Sequence, residues 1–507
     1  MNLINLIEQA SNRIYDLVSR TKLQRANNLS RKLKNNISLK REDQQPVFSF
    51  KIRGAYNKIS SLNLHQDETK EIYACSAGNH AQGVALSGFH LNLKTNIVMP
   101  TFSPEIKVQN VKNFGGNVIL FGDNFDEAKE ECNRLVEEND GILVHPFDDL
   151  DIIAGQGTIG KELLEDMPDL NYVFIPIGGG GVAAGVSAYL KYFNPKIKII
   201  GVETFDANSM HQSKLKDQVI CLENVGLFAD GTAVREVGSH TFDICKQNLD
   251  DIILVDTDDI CLAIKDIYED TRTITEPSGA LGIAGIKKYL AKYNLENKNI
   301  VSIITGANMD FNKLSFIADR TGFKSNKEAM FFISIPEKPG TFLQMYQQIY
   351  PRNVLEFSYR YSDKETANIL MSVSVNQLDD FNNIKQDLES NIENCQVVDI
   401  SHNELAKTHL RFFSGGKNVN SPKNLKENIF RFEFPDKPGA LKLFLENLSH
   451  DWNISLFHYR NYGDDMGRVL TGIQTPLNSS NQLEEYLNQL GYPYVSENNN
   501  ILTKKFL

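Results

Sequence analysis

Four short segments of this chain carry residue types that could hold and transform a small anionic molecule. Lys51, within Ser49-Phe50-Lys51-Ile52-Arg53-Gly54-Ala55, offers a primary amine that becomes a nucleophile or base where it loses its proton. Ser76-Ala77-Gly78-Asn79-His80 combines small residues with an amide just ahead of a helical pattern. Free N–H groups at such a helix start bind a carboxylate well. Gly178, Gly179, Gly180 and Gly181 separate an apolar run from another helical pattern. Four adjacent glycines lose much backbone entropy on folding and contribute no packing, so a plain turn does not favour them. Converging N–H donors for a phosphate monoester do; the dinucleotide GxGxxG fingerprint in its usual context and the GxxxxGK[ST] spacing are absent. Thr305-Gly306-Ala307-Asn308 places a hydroxyl at the end of another apolar run.

Each segment also has an ordinary reading: a solvated lysine, a helix cap, a glycine turn, a strand-end turn. His80 is assigned a structural role, because nothing in the sequence sets it beside a reacting atom. All four in this order in one chain point to a single site.

The elements around them follow from periodicity. Between about 70 and 310, strand-like runs at 72–75, 96–99, 118–121, 172–177, 197–202 and 300–305 alternate with helical segments, and 37–40 reads as a strand ahead of Lys51. This rhythm predicts mostly parallel, doubly wound α/β sheets, whose ligands sit at the C-terminal ends of strands. Residues 3–18 read as an amphipathic helix, with Leu3, Leu6, Ile7, Ala10, Ile14 and Leu17 at helical spacing. Beyond 320 the pattern changes. Phe332-Ile333-Ser334-Ile335-Pro336-Glu337-Lys338-Pro339-Gly340 returns, with substitutions, as Arg431-Phe432-Glu433-Phe434-Pro435-Asp436-Lys437-Pro438-Gly439 at an offset of 99 residues. Each copy reads βαββαβ, a ferredoxin-like α+β unit. Polar connectors at 319–327 and 414–427 bound the copies. The expected domains are 1–320 for catalysis, with a smaller subdomain at 51–150, and regulatory units at 329–403 and 428–500.

With 507 residues the chain needs several cores. Its 53 basic and 64 acidic residues leave a net charge of −11 without long runs of either sign, which disfavours nucleic acid or a polybasic membrane anchor as partner. No apolar run approaches the roughly 20 residues of a membrane span, and Glu8 interrupts the apolar start before a signal core forms. Cys75, Cys132, Cys221, Cys245, Cys261 and Cys395 form no CxxC pair, so neither a zinc knuckle nor a disulfide framework is expected. A soluble protein of a reducing cytoplasm fits these features.

The four segments, with Arg41-Glu42-Asp43, Asp148, Gly155-Gln156-Gly157-Thr158 and Glu276-Pro277-Ser278-Gly279-Ala280, resemble the threonine dehydratase (threonine ammonia-lyase) family of fold-type II pyridoxal-phosphate (PLP) enzymes. The C-terminal repeat resembles the tandem ACT-like domains of its biosynthetic branch. The resemblance implies that Lys51 forms a Schiff base with PLP, with Phe50 beside it. Gly178, Gly179, Gly180 and Gly181 would hold the phosphate, Asn79 would bond the ring hydroxyl and Thr305 would face the pyridine nitrogen. Ser76, Ala77, Gly78 and Asn79 would take the substrate carboxylate. Lys51 would remove the Cα proton of L-threonine, and the cofactor phosphate would protonate the leaving hydroxyl, giving 2-oxobutanoate and ammonia. Isoleucine as inhibitor and valine as activator are the implied effectors, with Phe342, Tyr359, Arg360, Leu441, Leu445, Leu448, Tyr459 and Arg460 as candidates to contact them. A homo-oligomer, a tetramer, is expected. Thr21-Lys22-Leu23 departs from the family's Thr-Pro-Leu. Ala77 stands where related serine racemases carry a second serine, which argues against racemisation. Asn208 and Ser209 follow Val202-Glu203 where those racemases place metal-binding acids, so no metal is expected. An L-serine dehydratase or another β-eliminating or β-replacing PLP enzyme, and a non-catalytic amino-acid sensor, are the alternatives.

Overall fold

The structure is a computed structural model. It describes the chain except residues 1, 65–69, 325–327, 337–340, 351, 353, 360–364, 376–378, 411–424, 436–442, 445–447, 449–451, 461–465 and 506–507, together with some side chains inside the later elements. The chain divides into two compact units, Met1–Met309 and Asp310–Leu507.

The first unit is built on two sheets. Strands β1 (Leu23–Arg25), β2 (Asn36–Arg41), β7 (Tyr172–Pro176), β8 (Lys198–Thr204), β9 (Asp251–Val255) and β10 (Asn299–Ile304) form one sheet in the order β1-β2-β10-β7-β8-β9. Every pairing in it is parallel except β1 with β2. Strands β3 (Ile72–Cys75), β4 (Thr95–Met99), β5 (Asn117–Leu120) and β6 (Ile142–Leu143) form a smaller parallel sheet, β5-β4-β3-β6. The central strands are buried over all or nearly all of their length, which is why their sequences carry adjacent apolar residues rather than a strict alternation.

Both sheets reverse their winding at one place. In the larger sheet successive strands run outward from β7 to β8 and β9 on one side, while β10 pairs on the other; in the smaller one β3 is flanked by β4 and β6. Crevices for ligands open at such switch points. The four glycines follow β7, Thr305 follows β10, and Ser76 follows β3, so three of the sequence-identified loops lie at the switch points.

Helices occupy the connections: α1 (Leu3–Arg13), α2 (Asn27–Leu33), α3 (Lys51–Ser61), α4 (Asn79–His90), α5 (Glu105–Asn113), α6 (Phe125–Glu138), α7 (Leu150–Asp166), α8 (Gly181–Phe193), α9 (Ser209–Lys216), α10 (Ser239–Asn248), α11 (Thr257–Thr271) and α12 (Pro277–Tyr293). The first helix is shorter than its apolar spacing suggests, tightening into a 3-10 turn over Ile14–Asp16. β9 is an edge strand that the sequence reading did not include. No described helix is long and apolar enough to cross a membrane.

The second unit begins with α13 (Lys313–Lys324) and holds two antiparallel sheets. Strands β11 (Glu328–Pro336), β12 (Val354–Tyr359), β13 (Thr366–Ser374) and β14 (Gln396–Asp399) pair in the order β12-β13-β11-β14, with α14 (Thr341–Ile349) and α15 (Asp379–Asn391) between them. Strands β15 (Leu425–Pro435), β16 (Asn453–Arg460), β17 (Met466–Pro476) and β18 (Tyr494–Ser496) repeat that order. Each sheet has the ferredoxin-like arrangement, and a register shift recurs at equivalent places, Val354/Glu356 and Ile454/Leu456. The expected second-copy helix at 440–450 lies largely outside the described residues. β11 is buried on both faces: Phe331 and Ile333 join the first copy's own core, whereas Met330 and Phe332 join Leu370, Ile429 and Leu470 in a layer shared by the two sheets.

Candidate active site

Lys51 is the first residue of α3, and the turn before it is fixed from outside. Phe48 takes a left-handed conformation with φ 56°. The Phe50 N–H donates to the Thr305 carbonyl (3.1 Å), and the Ala307 N–H donates to the Phe48 carbonyl (2.9 Å). This two-rung ladder brings the start of α3 alongside the end of β10. The Lys51 ammonium donates to the Pro146 carbonyl oxygen at 2.8 Å and stands 5.4 Å from the buried Phe50 ring centroid. Burial lowers its pKa to about 8, and the Glu276 carboxylate opposes that fall.

Behind Lys51, Arg53 anchors α3 through charges that water does not reach. Its guanidinium donates to both oxygens of Glu42 (2.7 and 2.8 Å) and both of Glu162 (2.7 and 3.0 Å). Lys40 pairs with Glu162 at 2.6 Å and donates to the Thr21 carbonyl at 2.8 Å. These two cations and two carboxylates are fully buried. Burial alone would raise the Glu162 carboxyl, but Arg53 and Lys40 hold it below its ordinary value.

On the smaller sheet, Ser76, Ala77, Gly78 and Asn79 are all part-exposed, and space at Gly78 is open. The Ser76 hydroxyl accepts from the Gly78 N–H (3.2 Å), and α4 opens at Asn79 without a side-chain cap. Its first N–H groups therefore remain for an anion. His80 faces inward, with Nε2 2.8 Å from the Val144 carbonyl. Burial, with the nearby Lys51 charge, lowers its pKa to about 3, so it stays neutral. That matches the structural role expected of it.

The glycines shape a cradle. Gly180 has φ +94°, and a Cβ there would meet Met210 Cε at 2.9 Å. A Cβ at Gly179 would run into the Phe147 ring. Phe147 therefore lies against the phosphate-type loop while its neighbour Pro146 holds Lys51. His145 organises this turn: its Nδ1 accepts from the N–H groups of Phe147 (3.3 Å) and Asp148 (2.8 Å). The Asp148 carboxylate accepts from Ser239 and Thr241 at the start of α10 (3.0 and 3.2 Å), and the Thr241 hydroxyl donates to the Gly179 carbonyl (2.7 Å). Sequence reasoning missed the roles of His145, Pro146 and Phe147. The signal for them was only an apolar run ending in His-Pro-Phe-Asp.

The chemistry of these groups suits an aldehyde-bearing aromatic phosphate. Among the described residues the buried Thr305 hydroxyl has no hydrogen-bond partner, and neither have those of Ser49 and Thr275. A polar atom buried without a partner is costly and calls for one. An amine of lowered pKa, a side-chain-free cradle at a helix start and a partnerless hydroxyl are the groups that would hold such a cofactor by its carbonyl, phosphate and ring nitrogen. Among the described residues no three His, Cys, Asp or Glu side chains gather to hold a metal ion. Glu203 spends its carboxylate on the N–H groups of Met210 (2.9 Å) and His211 (2.8 Å).

The effector candidates are placed less fully. Phe342 lies in α14, Tyr359 ends β12, and Tyr459 and Arg460 end β16, but their side chains are outside the described residues. Arg360, Leu441 and Leu445 lie outside them altogether. Leu448 is half-buried against the second copy's core.

Residues 14–306 match the family described as pyridoxal-phosphate dependent enzyme. Residues 319–410 and 419–507 each match the C-terminal regulatory domain of threonine dehydratase. The mitochondrial threonine dehydratase of Saccharomyces cerevisiae is 46% identical over 97% of this chain and 87% of its own length. The biosynthetic L-threonine dehydratase of Haemophilus influenzae is 46% identical over 97% of this chain and 94% of its own. Among solved structures, processed threonine deaminase isoform 2 from Solanum lycopersicum superposes with a TM-score of 0.61 at 46% identity, covering 63% of this chain and 93% of that one. Maize serine racemase superposes with a TM-score of 0.58 at 33% identity, covering 62% and 95%.

Proposed function

The chain belongs to the threonine dehydratase family of PLP enzymes, and on that premise we propose that the Lys51 site removes water and ammonia from L-threonine to leave 2-oxobutanoate. The observation that carries this reading is the convergence of a part-buried amine of lowered pKa with a glycine cradle and a hydroxyl that has no partner among the described residues, the last two at the ends of adjacent strands.

PLP, when bound, supplies a carbonyl that an amine can join and an electron sink for the pair left at Cα. Lys51 is the amine that holds it. Displaced by the substrate amine, Lys51 would be the base for the Cα proton, and the burial that lowers its pKa to about 8 in the cofactor-free protein favours the unprotonated form this role needs. N–H groups of Gly178, Gly179, Gly180 and Gly181 would hold the phosphate, and Asn79 would donate to the ring hydroxyl. The start of α4, with Ser76, Ala77 and Gly78, takes the substrate carboxylate. Thr305 offers the ring nitrogen a hydroxyl, which cannot carry the charge needed to keep that nitrogen protonated. That favours elimination over transamination. Loss of the Cα proton and of the β-hydroxyl as water frees an enamine, which water hydrolyses to the 2-oxo acid and ammonia.

The tandem unit is the sensor. Isoleucine inhibits and valine opposes it, binding near the first helix and adjacent strand of the copies, at Phe342, Tyr359, Arg360, Leu441, Leu445, Leu448, Tyr459 and Arg460. Two matches to a regulatory domain support this. The enzyme works in the cytoplasm, a reading supported by six free cysteines and by bacterial biosynthetic relatives, and assembles as a homotetramer, since paired regulatory domains of this kind commonly associate. L-Serine is a side substrate, since one missing methyl allows about 10- to 200-fold discrimination at most. The test is 2-oxo acid formation from threonine and from serine, each with and without isoleucine and valine. No product from threonine would overturn the reading.

A further inference from the structure

Asn79 lies in a chain of amides whose orientation is dictated from both ends. A main-chain carbonyl can only accept, so the Asn308 atom 2.8 Å from the Val47 oxygen is Nδ2. That same Nδ2 donates to Asn79 Oδ1 at 2.7 Å. The other side of the Asn79 amide is then Nδ2, and it donates to Glu276 Oε1 at 2.8 Å. A carboxylate oxygen on that side independently requires a donor. The amide therefore cannot flip without setting oxygen against oxygen and nitrogen against nitrogen.

Glu276 is placed unusually for such a task. It stands at the N-cap of α12, ahead of Pro277, yet its side chain makes no cap bond to its own helix. Shorter side chains that do cap are preferred there. The carboxylate instead reaches α4, spanning the two sheets of the first unit, and is itself buried. Gly306 leaves room for it, since a Cβ at that position would stand 2.5 Å from Oε1. The start of α12 favours the negative charge.

We propose that Glu276 is a positioning residue for Asn79: with Asn308 it locks the amide so that one Nδ2 hydrogen is spent on the carboxylate and the other is committed to the ring oxygen of the cofactor. This rests on the assignment of PLP to the Lys51 site. Without Glu276 the amide is held from one side only, and its donor is no longer fixed toward the cofactor.

The test titrates the cofactor-free, full-length protein with PLP, following affinity and the visible band of the bound form. Glu276→Ala is expected to raise the half-saturating concentration about tenfold or more, the weight of one charge-assisted hydrogen bond, and to move the band. Glu276→Gln, whose Oε1 accepts the same N–H, should keep the wild-type band and lie within about threefold. Asn308→Leu should move the band in the same direction as Glu276→Ala. A wild-type band and affinity in Glu276→Ala, or a Glu276→Gln protein that behaves like Glu276→Ala, overturns the proposal. If Glu276→Ala does not fold, Glu276→Gln and Asn308→Leu decide: an altered band in the first or an unaltered one in the second overturns it. Failure of the underlying PLP assignment looks different, because the wild type itself would then develop no band.

Discussion

The Lys51 ammonium and the Pro146 carbonyl oxygen are 2.8 Å apart, so the loop that presses Phe147 against Gly179 also holds the reactive amine. The amine and the glycine loop are thereby positioned by one turn, whose own shape depends on His145 Nδ1 accepting two main-chain N–H groups. Replacing Lys51 by Ala removes the amine and leaves the ladder of Phe48 and Phe50 with Thr305 and Ala307, which is main-chain only. The Lys51→Ala protein should fold, show no Schiff-base absorbance on addition of PLP, and form no more than traces of 2-oxobutanoate. Appreciable turnover in the purified variant would remove Lys51 from its role.

A second consequence concerns pH. In the cofactor-free protein the Lys51 pKa lies near 8, below the ordinary 10.5, so the folded state resists a proton that the unfolded chain accepts. Above about pH 10.5 the amine is neutral in both states and the difference vanishes. As pH falls through that value and past 8, stability is lost, by up to about 3 kcal/mol for a shift of this size. Lys51→Met should therefore stabilise the cofactor-free protein at pH 7, by about 1–3 kcal/mol once the lost Pro146 bond is discounted. The gain should shrink toward pH 10.5. Denaturant melts at the two pH values check this, and a gain independent of pH would contradict the desolvated state of the amine.

What the sequence made legible was what local pattern encodes. Ser76, Gly178 and Thr305 each follow an apolar run, and a strand-then-loop rhythm places such residues at one edge of a parallel sheet. The 99-residue repeat likewise announced two copies of one unit. Burial of charge was not legible. Arginine as a residue type is mostly exposed, and only its pairing with Glu42 and Glu162, with Lys40 beside them, from two other segments makes Arg53 a core residue. The pairing of Glu276 with Asn79 joins positions 197 apart, a separation at which no sequence period operates.

The Arg53 cluster makes its own prediction. Arg53→Leu leaves Glu42 and Glu162 buried against each other without their shared cation. Removing one partner of a buried ion group costs about 3–5 kcal/mol. The variant should unfold at correspondingly lower urea concentration and lose cofactor affinity with the alignment of α3. Arg53→Lys should recover only part, because a point charge cannot bond four carboxylate oxygens at once. A melt within 1 kcal/mol of wild type, on the order of a surface change, would show that the cluster contributes little.

At the far end of β10, Thr305→Asp tests the choice of a neutral partner for the ring nitrogen. A carboxylate there would retain a proton on that nitrogen and deepen the electron sink. PLP should still bind, with slower elimination and a new long-wavelength absorbance during turnover. Thr305→Ser, which keeps the hydroxyl, should stay close to wild type. Unchanged turnover in Thr305→Asp would place Thr305 away from the ring nitrogen.

Regulation can be separated from chemistry at the boundary between the two units. The first closes at Met309, and α13 belongs to the second, where Phe316 and Ile317 are buried and Arg320 pairs with Glu404. Ending the chain within or after α13 would expose those groups, so the cut is best made at Met309. The sheets, the ion cluster and the four loops all precede it. Residues 1–309 should therefore dehydrate threonine if they remain soluble, with no response to isoleucine or valine. The full-length enzyme, by contrast, should respond with a coupling of about 1–3 kcal/mol, a roughly 5- to 150-fold change in affinity that an assay at modest threonine concentration reads directly. An effector site on the second copy would depend on that copy's fold. Phe432, Phe434, Phe444 and Tyr486 pack that copy's core around Trp452, so Trp452 fluorescence provides an independent measure of it. Phe444→Ala should loosen that core by about 3–5 kcal/mol and blunt the response to isoleucine while leaving uninhibited turnover near wild type. Inhibition surviving in residues 1–309, or a full-length enzyme indifferent to both amino acids, would contradict the regulatory role of the repeat.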